Sequence, residues 1–238
     1  MNVTLINYTP DAKNLLLFTK QTRLTLSPGL LEEVSHWPDE RKLNELAYMA
    51  NTIPSSWEFV DYVFLVEGVS RAYTHQQVRT RAASYAQQTM RVNNMAEFEY
   101  IFTERNRENP RAIERIRRVL QEIRLGYMEL LQMGQATEDA RGILPTNIST
   151  NIICKFNLRT MSELAKSRTG GRTQNEYITV VNAMVDAILY VHPWAEQFLF
   201  ANHERDYFDE IETWAKGRLP DMAMRNELLK IVDAMRKS

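Results

Sequence analysis

The sequence predicts a single domain of the α+β class over residues 1–238. Apolar residues recur at helical spacing in several long segments, and short alternating or β-branched runs between them are typical of strands. No internal repeat and no Pro- and Gly-rich linker divides the chain. With 44% hydrophobic and 25% charged residues, the composition is that of a globular protein that buries a sizeable core.

The N-terminal part of the chain contains two predicted strands and two predicted helices. Val3 to Tyr8 alternates apolar and polar residues, and aromatic and β-branched residues run from Phe59 to Val66 until Gly68 interrupts them. Asp11 to Thr22 follows a turn and reads as a helix. Another helix begins near Pro38, because proline and acidic residues suit the first helical turn.

Helices dominate the predictions for the rest of the chain. Val69 to Arg81 is compatible with a helix, Phe98 to Phe102 with a short strand, and Pro110 begins the longest helix, which runs to about Met133. After Pro145, a stretch rich in Thr, Asn and Ile predicts irregular or extended backbone through Phe156. The remaining predicted helices are Met161 to Lys166, Gln174 to Val191, Pro193 to Phe200 and one from Asp221.

The charge balance argues against binding to a nucleic acid polymer. The net charge is -1, whereas non-specific affinity for polyanions needs a surplus of clustered cations. Of the 29 basic residues 21 are arginines, whose planar forks suit bidentate contacts with phosphate or carboxylate groups. The sequence therefore favours a small anionic ligand.

The sequence lacks most of the patterns that mark a membrane or secreted protein, a metal site or a nucleotide-phosphate loop. No apolar run approaches the roughly 20 residues of a membrane span, and the N-terminal residues lack the pattern of a secretory signal. The lone cysteine, Cys154, allows neither an internal disulfide nor a cysteine metal site, so we expect a cytoplasmic protein without a resident metal. The sequence contains no GxGxxG, GxxxxGK[ST] or GxSxG motif, although a dispersed Ser-His-Asp triad stays open.

One segment, Gly68 to Arg91, carries an unusual set of polar groups. Arg71, His75 and Arg79 are spaced to share one sector of a helix. Arg79-Thr80-Arg81 and the small and amide residues up to Arg91 then offer cationic forks and backbone donors to an anionic ligand. The pattern alone favours an amphipathic helix with a solvated basic edge.

This segment resembles the signature of the flavin-dependent thymidylate synthase family, also called thymidylate synthase complementing proteins. That signature runs from a GVSRA-type helix through Arg-His-Arg to a serine and an arginine. The resemblance spans roughly residues 54 to 200 and continues in Ser56–Phe59, Ala140–Pro145, Asn157–Thr160, Leu164–Arg168 and Gln174–Glu176.

Four positions depart from the family pattern. Thr80 replaces the central histidine and makes the motif Arg-Thr-Arg, Thr89 replaces the serine, and Val92 replaces a tyrosine. Glu163 stands where an asparagine often touches the flavin. Thr89 keeps a hydroxyl, whereas Thr80 removes a ring that could pack against the isoalloxazine.

The resemblance implies a single domain with a central, mostly antiparallel sheet flanked by long helices. It also implies reductive methylation of dUMP at C5 to dTMP, with methylenetetrahydrofolate as carbon donor, NADPH-reduced FAD as reductant and no cysteine nucleophile. Cys154 lies in an apolar stretch and is interpreted as a buried small residue. A homotetramer with active sites shared between subunits is also implied.

The resemblance assigns site residues position by position. Arg168 is the catalytic candidate, because a guanidinium can stabilise the pyrimidine as its N3 anion. The nucleotide candidates are Gln76, Arg79, Gln87, Gln88, Thr89, Met90, Arg91, Arg141 and Arg168. The flavin candidates are Ser56, Glu58, Arg79, Thr80, Arg81, Asn157, Arg159, Glu163 and Arg172. Gln174 and Glu176 are interpreted as packing or capping residues, and Tyr85 as a packing residue.

Two alternatives stay open. One is an enzyme of the same fold that modifies another pyrimidine nucleotide, by methylation or hydroxymethylation of dCMP, and the changes at Thr80 and Thr89 motivate it. The other is a non-catalytic homologue that only binds nucleotide or flavin.

Overall fold

The fold is taken from a computed structural model that describes residues 1–25, 28–91, 95–167, 174–200, 211, 214–215 and 221–236. The chain divides into two compact units, residues 1–200 and 201–238. The predicted residues Val92, Arg168 and Arg172 lie outside the described part.

The first unit is built on an antiparallel sheet, which confirms the predicted α+β class. Its described strands are β1 (Asn2–Tyr8), β2 (Asp61–Ser70), β3 (Ala83–Gln87) and β4 (Ser149–Asn157). They are arranged in the order β1-β2-β4-β3, and each neighbouring pair is antiparallel. β2 and β4 are therefore the central strands.

Helices account for most of the remaining described chain. In the first unit they are α1 (Ala12–Gln21), α2 (Leu30–Ser35), α3 (Asp39–Thr52), α4 (Arg71–Gln77), α5 (Glu104–Arg107), α6 (Pro110–Gln132), α7 (Thr137–Ala140), α8 (Leu158–Ser167), α9 (Asn175–Val191) and α10 (Glu196–Leu199). Short 3₁₀ turns span Pro54–Phe59, Arg141–Ile143 and Pro193–Ala195. In the second unit, α11 spans Met222–Arg236, and the side chain of Asp221 accepts a hydrogen bond from the backbone N–H of Met224.

The main core lies on one face of the sheet. Alternate residues of β2 and β4 point into it because side chains alternate between the two faces of a strand, and Tyr62, Phe64, Cys154 and Phe156 are fully buried there. Buried residues of α8 and α9 belong to the same cluster. A smaller cluster joins α6 to Met95, Phe98, Ala140 and Ile148.

Gly68 lies inside β2 rather than at its end, so the predicted end of this strand at Val66 was wrong. The β2–β4 register shifts between Val66 and Val69, and Gly68 has a φ of +64°. A glycine in the left-handed region is characteristic of a β-bulge, which lets the strand continue to Ser70.

Three local predictions around the basic segment were also wrong. The predicted helix over Val69 to Arg81 is present only as α4, because Val69 and Ser70 still pair with β4. The sequence missed β3, in which only Tyr85 favours strands; pairing with β4 fixes its extended form. Phe98 to Phe102 forms a single bridge, between Tyr100 and Ile148, instead of a strand.

Glu176 joins the start of α9 to the junction between β2 and α4. Its two carboxylate oxygens accept hydrogen bonds from the backbone N–H of Ser70 at 2.8 Å and from the Ser70 hydroxyl at 2.5 Å. The Ser70 side chain in turn accepts from the backbone N–H of Tyr73 and caps α4. Glu176 is thus a capping and packing residue, as interpreted from the sequence.

None of the described helices is long and apolar enough to cross a membrane. The described ranges also contain no cluster of His, Cys, Asp and Glu side chains that could hold a metal ion.

We predict that the buried histidine at the end of α9 makes the fold sensitive to acid. His192 Nδ1 lies 3.0 Å from the Tyr62 hydroxyl, and burial lowers the pKa of His192 below its usual 6.5. As pH falls below 6.5, the unfolded chain therefore takes up a proton before the folded one does, and stability is lost. Denaturant titrations should show the free energy of unfolding falling between about pH 7 and about pH 5.

His192→Gln should make that fall shallower. The matched control is His75→Gln, which changes an exposed histidine on α4. Equal slopes for the wild type and the His192 variant would contradict the assignment.

Candidate functional site

A turn between α4 and β3 presents the Arg-Thr-Arg motif. We call Arg79, Thr80 and Arg81 the RTR turn. The backbone N–H groups of Arg79 and Thr80 donate to the carbonyls of Gln76 and Gln77, at 3.2 and 3.1 Å. Arg79 and Arg81 are exposed, and neither forms an ion pair within the described residues. Their guanidinium groups are therefore available to an anionic ligand.

The fold brings the RTR turn to the end of β4, where a second predicted motif begins. The Thr160 hydroxyl donates to the carbonyl of Ala82 at 3.1 Å. The side chain of Asn157 accepts from the backbone N–H of Thr160 at 2.8 Å. Two motifs that are far apart in the sequence thus meet at the end of the ladder where Ala83 pairs with Phe156.

Three flavin candidates form an exposed ion-pair group at this end, which we call the Arg159 cluster. Arg159 lies 2.7 Å from a carboxylate oxygen of Glu58 and 3.7 Å from one of Glu163. All three side chains are about half exposed, so water screens these pairs. Ser56, in contrast, is fully buried, and its hydroxyl has no hydrogen-bond partner among the described residues.

A second basic group, the arginine cluster, lies at the other end of β3. It comprises Arg71, Arg91, Glu138 and Arg141. Arg91 Nε lies 2.6 Å from a Glu138 carboxylate oxygen, and Arg141 Nε donates to the Glu138 carbonyl at 3.1 Å. The hydroxyl of Thr137 donates to the Arg91 carbonyl at 2.5 Å. The cluster therefore ties the chain after β3 to α7.

Arg71 lies beside Arg141 without a carboxylate partner in the described part of the chain. Its guanidinium donates to the carbonyl of Gln88, and its buried Nε has no hydrogen-bond partner there. Burial and the positive charge of Arg141 lower the pKa of Arg71. Two neighbouring guanidinium groups without a counter-charge make a favourable site for an anion such as a phosphate.

The remaining nucleotide candidates are divided between the two ends. Gln76 lies near the RTR turn, whereas Gln87 donates from its side chain to the Thr74 hydroxyl at 2.8 Å. Thr89 accepts from the backbone N–H of Arg91, and Met90 packs against the smaller core cluster. β3 has five residues, so the two ends of the ladder lie about 14 Å apart.

A cavity of about 380 Å³ opens next to Gln88. This volume falls in the range of small-molecule sites. It is lined by Gly68, Gln88, Met95, Glu97, Phe98, Glu99, Ser149, Thr150 and Asn151. Most of these residues are polar, and the two glutamates disfavour an anionic group at this point.

Cys154 is fully buried in β4. Burial raises the pKa of its thiol to about 12. A thiol in this environment stays protonated at neutral pH and is a poor nucleophile.

The sequence missed two members of the arginine cluster. The spacing of Arg71 to His75 placed it on a polar helix face but gave it no binding role. The face predicted to include Arg79 was wrong, because α4 ends at Gln77. Glu138 had no local signal, since its partner Arg91 is 47 residues away.

Comparison with known proteins agrees with the motifs. The profile of the family described as "Thymidylate synthase complementing protein" matches residues 4–194. The chain is 31% identical to the flavin-dependent thymidylate synthase of Clostridium tetani in an alignment of 211 residues that covers 81% of this chain and 84% of the relative. It is 28% identical to that of Nitratidesulfovibrio vulgaris in an alignment of 236 residues that covers 92% of this chain and 95% of the relative.

A third relative extends the same agreement to an archaeon. The chain is 30% identical to the flavin-dependent thymidylate synthase of Sulfurisphaera tokodaii over 193 residues, 81% of this chain and 75% of the relative. The matched region contains both basic ends of the β3–β4 ladder. Motif order and overall similarity agree, and the chain belongs to the thymidylate synthase complementing protein family.

Proposed function

We propose that the chain is an FAD-dependent thymidylate synthase that methylates dUMP at C5. The carbon of methylenetetrahydrofolate is at the oxidation level of formaldehyde, so its conversion to a methyl group requires two further electrons. NADPH supplies them as a hydride, and both bonds from the methylene carbon to the folate nitrogens break. The proton lost from C5 and one proton from solvent balance the two nitrogens, so the products are dTMP, tetrahydrofolate and NADP⁺. FAD, when bound, carries the electrons from NADPH towards the transferred carbon.

The observation that carries this proposal is the meeting of the RTR turn with the Asn157–Thr160 segment. The hydrogen bond from Thr160 to Ala82 joins parts of the chain that lie 78 residues apart. Arg79 and Arg81 are exposed and are not ion-paired within the described ranges. This set of donors fits the diphosphate of FAD. Arg159, which already has two carboxylate neighbours, is suited to a less anionic part of the cofactor.

The arginine cluster is the proposed site for the phosphate of dUMP. Arg71 and Arg141 supply the positive charge, and Arg91 is held nearby by Glu138. The buried, protonated Cys154 cannot serve as a thiolate nucleophile, which supports activation of the ring by electrostatic means. Arg168 has this role in our proposal, and its assignment rests on the resemblance.

We also infer a homotetramer with shared active sites. Arg79 lies at one end of the ladder and Arg91 and Arg141 at the other, and the five-residue strand between them is about 14 Å long. Residues from two copies can converge on one nucleotide without any change in this rigid ladder. A shared site therefore explains the division of the nucleotide candidates.

We predict that purified protein with FAD, NADPH and methylenetetrahydrofolate converts dUMP to dTMP. The measurement is chromatography of the nucleotide products, with dCMP as the parallel substrate and a reaction without NADPH as control. A product formed only from dCMP would favour the alternative enzyme. A protein that takes up no FAD and oxidises no NADPH would favour the binding homologue.

Arg168→Ala should lower kcat by at least about 100-fold, because the lost charge is felt most strongly by the ionised pyrimidine. The absorption spectrum of bound flavin should not change. Arg168→Lys keeps a charge but loses the planar fork, so it should recover only part of the rate. Wild-type turnover in the alanine variant would refute the role.

Arg141→Ala should raise the KM for dUMP by about tenfold or more and change kcat less, because it removes a charged contact present throughout the reaction. Arg118→Ala is the matched control, since Arg118 is an exposed arginine paired with Glu114 on α6. Initial rates against dUMP concentration measure both effects. Equal KM values in the two variants would place the phosphate elsewhere.

A further inference from the structure

The hydroxyl of Tyr85 contacts the backbone at two points around the RTR turn. It lies 2.8 Å from the carbonyl oxygen of Gln77, the last residue of α4, and 2.8 Å from the carbonyl oxygen of Thr80. A single phenolic proton shared by two carbonyls forms a three-centre hydrogen bond. The two contacts bracket the residues that leave the helix and begin the motif.

The surroundings of Tyr85 keep its hydroxyl protonated, so that it can donate hydrogen bonds. The ring packs edge-on against Phe156, with 5.9 Å between the ring centroids. Burial raises the pKa of Tyr85 to about 12, so the phenol is protonated at neutral pH. The carbonyl of Gln77 lies at the end of α4 and already accepts from the backbone N–H of Thr80 at 3.1 Å, and Tyr85 supplies a second donor to it.

The RTR turn has little other support from its own side chains. Arg79 and Arg81 are exposed, and Thr80 has no ring that could pack against the sheet. The hydrogen bond from Thr160 to Ala82 fixes the far side of the turn. On the near side, two backbone hydrogen bonds join Arg79 and Thr80 to the end of α4, and the Tyr85 hydroxyl adds the side-chain contact that satisfies the carbonyl of Thr80.

We propose that Tyr85 is a positioning residue whose hydroxyl holds the RTR turn in the conformation that binds the flavin. This inference rests on the proposed function, because it needs the turn to contact FAD. Tyr85 itself acts through the backbone of the turn and not on the cofactor. Its ring packs, as the sequence suggested, and its hydroxyl adds a role that the sequence did not indicate.

Tyr85→Phe tests the role, because it keeps the ring and removes only the hydroxyl. FAD titrations followed by quenching of flavin fluorescence should give a dissociation constant about tenfold higher than that of the wild type, as expected for loss of one well-placed hydrogen bond. Visible circular dichroism of the bound flavin should change as well. Thermal unfolding should show at most a small loss of stability.

Tyr73→Phe is the matched control. The Tyr73 hydroxyl is fully buried, whereas Tyr85 is partly buried, and it donates to the side-chain oxygen of Gln77, at 3.0 Å, and not to the turn. The Tyr73 variant should lose at least as much thermal stability as the Tyr85 variant, while its FAD affinity stays within about twofold of the wild type.

The outcomes separate the two proposals. If the wild type binds FAD and the Tyr85 variant binds it equally well, the positioning role is wrong and the proposed function stands. If both tyrosine variants lose the same affinity, general destabilisation explains the effect, and the positioning role is again wrong. Failure of the wild type to bind FAD would overturn both proposals.

Discussion

The antiparallel ladder centred on β4 is the constraint on which the arrangement of the candidate residues depends. β4 pairs with β2 on one side and β3 on the other, so its length sets the distance between the residues at its two ends. Asn157 ends it beside the RTR turn, and Ser149 begins it towards the arginine cluster. Because a paired strand cannot shorten, one chain holds its two basic groups apart.

The distribution of charge matters more here than its total. A net charge of -1 hides two different environments for arginine. Arg159 and Arg91 have carboxylate neighbours, whereas Arg71 and Arg141 lie together without one among the described residues. Ion pairs hold the first two side chains in place, while the neighbouring pair gains most from an anionic ligand. The same residue type therefore serves both structure and binding.

Helices whose residues carry their own periodic pattern were predicted from the sequence. The strand and the contacts that depend on pairing with distant parts of the chain were missed. The periodicity of α6 predicted both of its bounds, and the proline before α3 predicted where α3 begins, to within a residue or two, because these signals lie in or next to the helices themselves. β3 has few strand-favouring residues and is extended because β4 pairs with it. Contacts such as Arg71 with Gln88 depend on where two elements meet, so no local pattern could reveal them.

The change from histidine to threonine at position 80 is easier to understand from the backbone than from the side chain. The fold uses the backbone of Thr80, whose N–H donates to the carbonyl of Gln77 and whose carbonyl oxygen accepts the Tyr85 hydroxyl. Nearly every residue type has these backbone groups, so the hydrogen bonds do not require a ring at position 80. In the proposed function the flanking arginines have no such freedom, because only their guanidinium forks supply charge and paired donors. A motif that keeps both arginines and changes its central residue is therefore what this geometry permits.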